Sequence, residues 1–186
     1  MALSIAVTPF FTVTNNIFTH NPEGGMDVVS TVPVKGVLLN NTIAQNGDGI
    51  VLVNQFPEEP IDIWLTNTLI ASNTVGLQIN PWCTASLQGT LWGTGAWANG
   101  VDIQNGGGSV TTGTVDIHGL PDFVNPAADD YHITSASAAF NTGVPVWVRH
   151  DIDGKPRPDC VLWDIGADEY TSRQPCYHNF LSLVRK

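Results

Sequence analysis

Leu38-Leu39-Asn40-Asn41-Thr42-Ile43-Ala44-Gln45-Asn46-Gly47-Asp48-Gly49-Ile50-Val51-Leu52 is the stretch from which the architecture follows. It holds a polar corner at Asn40, a second at Asn46, and then a glycine leading into an apolar-x-apolar strand. The same unit recurs with corners at Asn15 and Asn21, at Asn67 and Asn73, and in weaker form at Gly89 and Gly95. The strands that follow begin at Gly25, Gly49, Gly76 and Gly100, with steps of 24, 27 and 24 residues. Self-similarity at such a period is the mark of stacked rungs, each unable to bury its apolar face alone.

Parity supports this. Val13, Leu38, Leu65 and Leu87 stand two positions before the first corner, and Phe18, Ile43, Ile70 and Trp92 three positions after it. Strict alternation would send these two sets to opposite faces. A bend at the corner returns both to one interior. Asparagine suits such a corner because it tolerates left-handed backbone geometry. Stacked in columns, the side chains of Asn15, Asn40 and Asn67, and of Asn21, Asn46 and Asn73, are expected to bond to each other as ladders. Glycine before each strand is expected to supply a positive φ. No 3.6-residue period is sustained. The expectation is an all-β chain, a right-handed parallel β-helix of four to five rungs over residues 1–120. An antiparallel sandwich with frequent turns is the alternative. Segments Val29–Val37 and Val53–Ile63 are expected to bulge outward as long connections, and Val110 with Val115-Asp116-Ile117 to form a fifth, degenerate rung.

The chain carries Lys+Arg 7 against Asp+Glu 17, a net charge of −10, and Lys35 is the only basic residue before Arg149. Such an acidic body repels phosphate backbones, which argues against nucleic acid as a partner. No apolar run approaches the roughly 18 residues of a membrane-spanning helix. The opening Met1–Val7 lacks a basic start and is a poor signal peptide. The chain reads as if it begins inside the solenoid, as a trimmed fragment would. Cys160 and Cys176 lie close enough to close a small loop, a bond contributing roughly 3 kcal/mol. Cys83 is then a buried small hydrophobe or an intermolecular thiol.

After Pro121 the pattern changes. Asp122-Phe-Val-Asn-Pro126 leads to Asp130-Tyr-His-Ile133 and Ser137-Ala-Ala-Phe-Asn141, and later come Asp151-Ile-Asp-Gly-Lys-Pro-Arg-Pro158 and Asp164-Ile-Gly-Ala-Asp-Glu-Tyr170. This resembles the closing segment of bacterial parallel β-helix surface proteins of the choice-of-anchor Q type, over residues 121–170. One departure is Asn141, where the family pattern has aspartate. The resemblance implies a secreted or cell-surface protein with a pectate-lyase-like solenoid, and no particular catalytic activity. Residues 171–186 form a tail, read either as a sorting signal or as a last strand packed on the body.

Candidate chemistry is sparse. Asp151-x-Asp153-Gly154, with Asp164, Asp168 and Glu169 nearby in sequence, suggests either a calcium site or a turn braced by an ion pair with Arg157. Lyase chemistry on such a fold needs a basic residue in the rungs, which offer only Lys35. Glycoside hydrolysis needs two carboxyls roughly 5–9.5 Å apart. Asp27 and Asp102, at equivalent strand positions about three rungs apart, would be too distant. His20 and His132 read as hydrogen-bonded structural residues. Among Trp64, Trp82, Trp92 and Trp97, Trp92 reads as core, and Trp82 and Trp97 as candidates for exposed stacking on sugars. The leading expectation is a non-catalytic extracellular structural or adhesive solenoid that assembles with copies of itself through its ends. The alternatives are the C-terminal fragment of a polysaccharide-degrading enzyme and a glycan-binding module.

Overall fold

A computed structural model describes residues 3–5, 10–57, 59–159 and 162–171. Strands numbered in chain order stack into three parallel sheets, each five strands deep. The first sheet holds β1 (Leu3–Ile5), β4 (Gly24–Ser30), β7 (Asp48–Asn54), β10 (Val75–Ile79) and β13 (Val101–Asn105). The second holds β2 (Phe10–Thr14), β5 (Val34–Leu39), β8 (Ile61–Thr66), β11 (Cys83–Gln88) and β14 (Ser109–Thr111). The third holds β3 (Ile17–Thr19), β6 (Thr42–Ala44), β9 (Leu69–Ala71), β12 (Leu91–Gly93) and β15 (Ile117–Gly119). The chain visits the sheets in turn and forms a parallel β-solenoid of about four turns. The degenerate rung is real, as β14 and β15.

Register converts the repeat into core. Val13, Leu38, Leu65 and Leu87 pair in one column. Phe18, Ile43, Ile70 and Trp92 form a second. Met26, Ile50, Leu77 and Ile103 form a third. The three columns meet in one apolar interior. Gly36 leaves room there for the Phe11 ring, since a Cβ on it would stand 2.3 Å from Phe11 Cζ.

The two connections expected to bulge are shorter than the sequence suggests. Val29–Val37 is mostly strand, because β4 runs to Ser30 and β5 starts at Val34. Val53–Ile63 likewise contributes its ends to β7 and β8. Val34, Ile61 and Ile63 are buried, so their apolar side chains extend the core strands rather than the loops.

The glycines before the first-sheet strands do not have positive φ. They are there because rungs approach too closely for a side chain. A Cβ on Gly25 would lie 2.9 Å from the Gly49 carbonyl oxygen, and one on Gly49 only 2.4 Å from that of Gly76. Positive φ falls at the corners instead, at Asn15, Asn40, Asn67 and Gly89, and at His20, Gln45 and Ser72 just before the second-corner asparagines.

The two asparagine columns behave differently. In the second, each side chain donates to the next up the stack: Asn21 to Asn46, Asn46 to Asn73 and Asn73 to Asn99, all at 3.0 Å. Asn99 takes the fourth place, not Gly95, because the short 3₁₀ turn Gly95–Trp97 is inserted before it. That insertion also shifts the register expected for Gly100. Asp102 falls in the row of Gly25, Gly49 and Gly76, and Gln104 in the row of Asp27. In the first column the backbones stack, with Asn15 N–H donating to Leu39 O and Asn40 N–H to Thr66 O. The side chains of Asn15, Asn40 and Asn67 do not bond to each other. They turn outward, and the stacked amides inside that corner are Asn16 and Asn41.

What the outward asparagines meet is the C-terminal segment. It opens with the antiparallel pair β16 (Phe123–Asn125) and β17 (Asp130–Ile133) and continues as a folded loop. Its Phe123, Tyr131, Ile133, Ala139 and Ile165 pack on Ala44, Leu69, Ala71 and Leu91, outward residues of the third sheet. Asn15 donates to His150 O at 2.6 Å, Asn40 to Asp164 O at 3.3 Å and Asn67 to Val144 O at 2.8 Å. The segment is a lateral brace across several rungs.

Candidate functional site

Arg157 organises the loop that carries most of the acids. Its buried guanidinium meets Glu169 Oε2 at 2.8 Å and donates to Gly166 O at 2.9 Å. Glu169 also accepts backbone N–H from Asp159 and Asp164. Asp151 accepts from Asp153, Lys155 and Glu169 backbone amides. Asp164 accepts from Asn141 at 2.6 Å and Tyr170 at 2.7 Å. Asn141, in the left-handed region at φ 54°, contributes through its backbone. Three of the five acids grouped as a calcium site, Asp151, Asp164 and Glu169, are thus braces whose oxygens face peptide N–H groups or Arg157. Burial pushes the Asp164 carboxyl up to about 7, reinforced by the Glu169 charge. Burial likewise raises Glu169 and Asp168.

The remaining two acids, exposed Asp153 and buried Asp168, gather with a histidine. His132 Nε2 is 2.9 Å from Asp153 Oδ2, and His132 Nδ1 is 2.6 Å from Asp130 Oδ1. Lys155 Nζ stands 2.9 Å from Asp153 Oδ2 and 3.6 Å from Asp168 Oδ1. Hydrogen bonding to His132 lowers Asp130, and hydrogen bonding to Lys155 lowers Asp153. Burial works to lower His132, but its carboxylate neighbours outweigh it and hold the imidazole above its ordinary value. His132 belongs to this cluster through a fold contact that no spacing in the sequence announces.

Other sequence candidates are dispersed. Asp27 lies near Asp48 and Glu23, and its carboxyl is raised by burial and by those charges. Asp102 bonds to Asn99 at 2.8 Å and meets His118 Nε2 at 3.1 Å on an exposed flank. His20 is itself a left-handed corner residue, 3.5 Å from Asp129. Cys83 is a buried free thiol, and Cys160 and Cys176, expected to pair with each other, lie outside the described residues.

Tryptophans divide between core and surface. Trp97 is half-buried and makes a T-shaped contact with Phe123, ring centroids 4.9 Å apart. Trp82 is 55% exposed and borders a groove of about 270 Å³ with Phe56, Pro81 and Asn80. A second groove, of about 580 Å³, lies between the second sheet and the C-terminal segment. Thr66 and Gln88 line it from the sheet side, and Trp147, Arg149 and Trp163 from the other. Trp147 is 65% exposed. Sequence reading missed this groove because its walls come from segments far apart in the chain.

Fold and surface together define a class, a parallel β-solenoid with a laterally packed C-terminal segment. The chain matches no family model, no curated protein and no solved structure.

Proposed function

We propose that this chain is a non-catalytic, adhesive β-solenoid of the cell exterior that holds carbohydrate in the groove beneath Trp147. The observation that carries this is the lining of the groove: two indoles and an arginine, with the Val144–Val146 stretch, against a threonine and a glutamine, and no carboxylate among the described residues. Indole faces stack on the C–H faces of pyranose rings, and amide and hydroxyl groups bond to ring hydroxyls, the mixture that fixes small polar ligands. Cleavage of a glycosidic bond needs a pair of carboxyls, and the described residues of the groove lining supply none. The resemblance of residues 121–170 to surface-protein closing segments supports an extracellular setting.

Tryptophan fluorescence, read while neutral and uronate-bearing oligosaccharides are titrated in, tests the reading. The expected result is saturable quenching that Trp147→Ala weakens at least tenfold. Turnover of any of these sugars, or no response to a broad glycan panel, overturns it.

A second reading, assembly with copies of the same chain, is favoured by the last rung. Among the described residues nothing pairs with the outer edges of β13, β14 and β15, and Val101 is exposed there. Unpaired edges template further strands. Sedimentation that shows concentration-dependent growth, abolished by Val101→Lys, supports this reading, and a monomer at all concentrations removes it.

A further inference from the structure

We propose that His132, Asp153 and Asp168 form a divalent transition-metal site of the zinc class on the flank of the C-terminal segment. The three residues come from separate places: β17, the turn after Asp151, and the loop before Glu169. One ligand atom from each lies within 4.8 Å of the others. Ligands about 2.1 Å from a tetrahedral ion stand roughly 3.4 Å apart, so a small closing movement completes the set.

Two observations beyond the clustering point to a cation. Asp168 is buried at 3% exposure, and among the described residues only its Oδ2 accepts a hydrogen bond, from Ile133 N–H at 2.9 Å, while Oδ1 has the Lys155 ammonium 3.6 Å away. Its Oδ1 is buried and accepts no hydrogen bond. A buried carboxylate oxygen without a donor is costly unless a positive charge faces it. The second is His132. Its Nδ1 lies 2.6 Å from Asp130 Oδ1 and its Nε2 2.9 Å from Asp153 Oδ2, and the tautomer with its proton on Nδ1 presents Nε2 to the cluster in the carboxylate–histidine arrangement that orients imidazole on metals. The Lys155 ammonium is the positive charge that faces these two carboxylates, 2.9 Å from Asp153 and 3.6 Å from Asp168, and an ion there would compete with it. Its side chain is 40% exposed, so it has a path out to solvent.

The donor set decides the class of ion. Calcium takes six to eight oxygens, and an imidazole nitrogen is a poor substitute. One nitrogen and two carboxylates with an open fourth position suit zinc and its neighbours. The oxygens that calcium would need, on Asp151, Asp164 and Glu169, are turned to peptide amides and Arg157.

The test is calorimetric titration of the chelator-treated full chain with ZnCl₂, with CoCl₂ as a spectroscopic probe. One equivalent should bind. His132→Ala should weaken it at least tenfold, and Asp153→Asn serves where that variant folds poorly by circular dichroism. Lys155→Met should tighten it several-fold, because the competing ammonium is gone. Millimolar CaCl₂ should not displace the zinc. No stoichiometric binding by either the natural chain or Lys155→Met overturns the proposal. So does affinity unchanged in both ligand variants, or a cobalt spectrum with thiolate charge transfer, which places the ion on a cysteine.

Discussion

Asn67 and Val144 exchange two hydrogen bonds, Asn67 Nδ2 donating to the Val144 carbonyl at 2.8 Å and Val144 N–H donating to Asn67 Oδ1 at 2.8 Å. The side-chain amide thus imitates one rung of a β-ladder and clips the C-terminal segment to the solenoid. The backbone of Asn67 is left-handed at φ 51°. These two roles separate by substitution. Asn67→Gly keeps the backbone geometry and loses both bonds, which should cost about 1–3 kcal/mol. Asn67→Ala loses the bonds and adds the left-handed penalty, roughly a further 1–2 kcal/mol. Urea unfolding checks both, and equal stability of Asn67→Gly and the natural chain would show the clip to be idle.

The other asparagine column makes a different demand. Asn46 Oδ1 accepts from Asn21 N–H and Nδ2, while Asn46 Nδ2 faces Asn73 Oδ1, Phe18 O and Ala44 O. Asn46→Ala strands several buried polar groups at once and should cost about 3 kcal/mol or more. Asn46→Asp keeps the shape but points a carboxylate at three acceptors. Its destabilisation should be larger at neutral pH than near pH 4, where the added proton restores a donor. Thermal unfolding of the two variants at both pH values reads the difference, and a pH-independent loss for the aspartate variant contradicts it.

Which parts were legible in the sequence follows from which parts repeat. Leu38, Leu65 and Leu87 see the same environment in every rung, so each copy confirms the others, and the columns come out in register. Local insertions break that logic: the Gly95–Trp97 turn transferred the ladder position to Asn99 and moved Asp102 out of the row of Asp27. Side-chain direction was also invisible. The alternation rule locates Asn40 at a corner but does not say that its amide turns out to Asp164 rather than up the stack. The Trp147 groove joins segments that share no spacing and leaves no motif, and of the His132–Asp153–Asp168 cluster the sequence offered the two acids but not the histidine.

Gly49 illustrates a role that composition alone misassigns. A glycine kept for a positive φ, as the sequence suggests here, would lose only roughly 1–2 kcal/mol on replacement by alanine. Here the new Cβ would stand 2.4 Å from the Gly76 carbonyl oxygen, a backbone atom that cannot swing aside. Gly49→Ala must therefore push two rungs apart, and overpacking of this kind costs about 1–3 kcal/mol. Gly154 is a useful contrast, since it has positive φ and open space around it. Gly154→Ala should lose less, roughly the 1–2 kcal/mol of left-handed strain. Reversal of that order in denaturant unfolding would show that the rungs part at Gly49 with little cost and that close approach does not explain the glycine.

Asp164 gives the fold a pH dependence of defined sign. Folded, its carboxyl titrates at about 7, raised by burial and then by the Glu169 charge, against 3.8 for the free side chain. Between those values the folded chain holds a proton that the unfolded chain has released. By linkage the stability from this group is fully present below about pH 4 and is lost as the pH rises through about 7. A one-unit shift corresponds to about 1.4 kcal/mol, so the effect is on the order of a few kcal/mol. Asp130 and Asp153, lowered by His132 and Lys155, act oppositely and lose their contribution in acid. Stability should therefore be greatest at about pH 4, fall progressively from there to about pH 7, and level off above it. Urea midpoints across that range measure it, together with carboxyl ¹³C titration of labelled aspartate. If no aspartate has a midpoint above about pH 5, Asp164 is ionised in the fold and the burial argument for it is wrong.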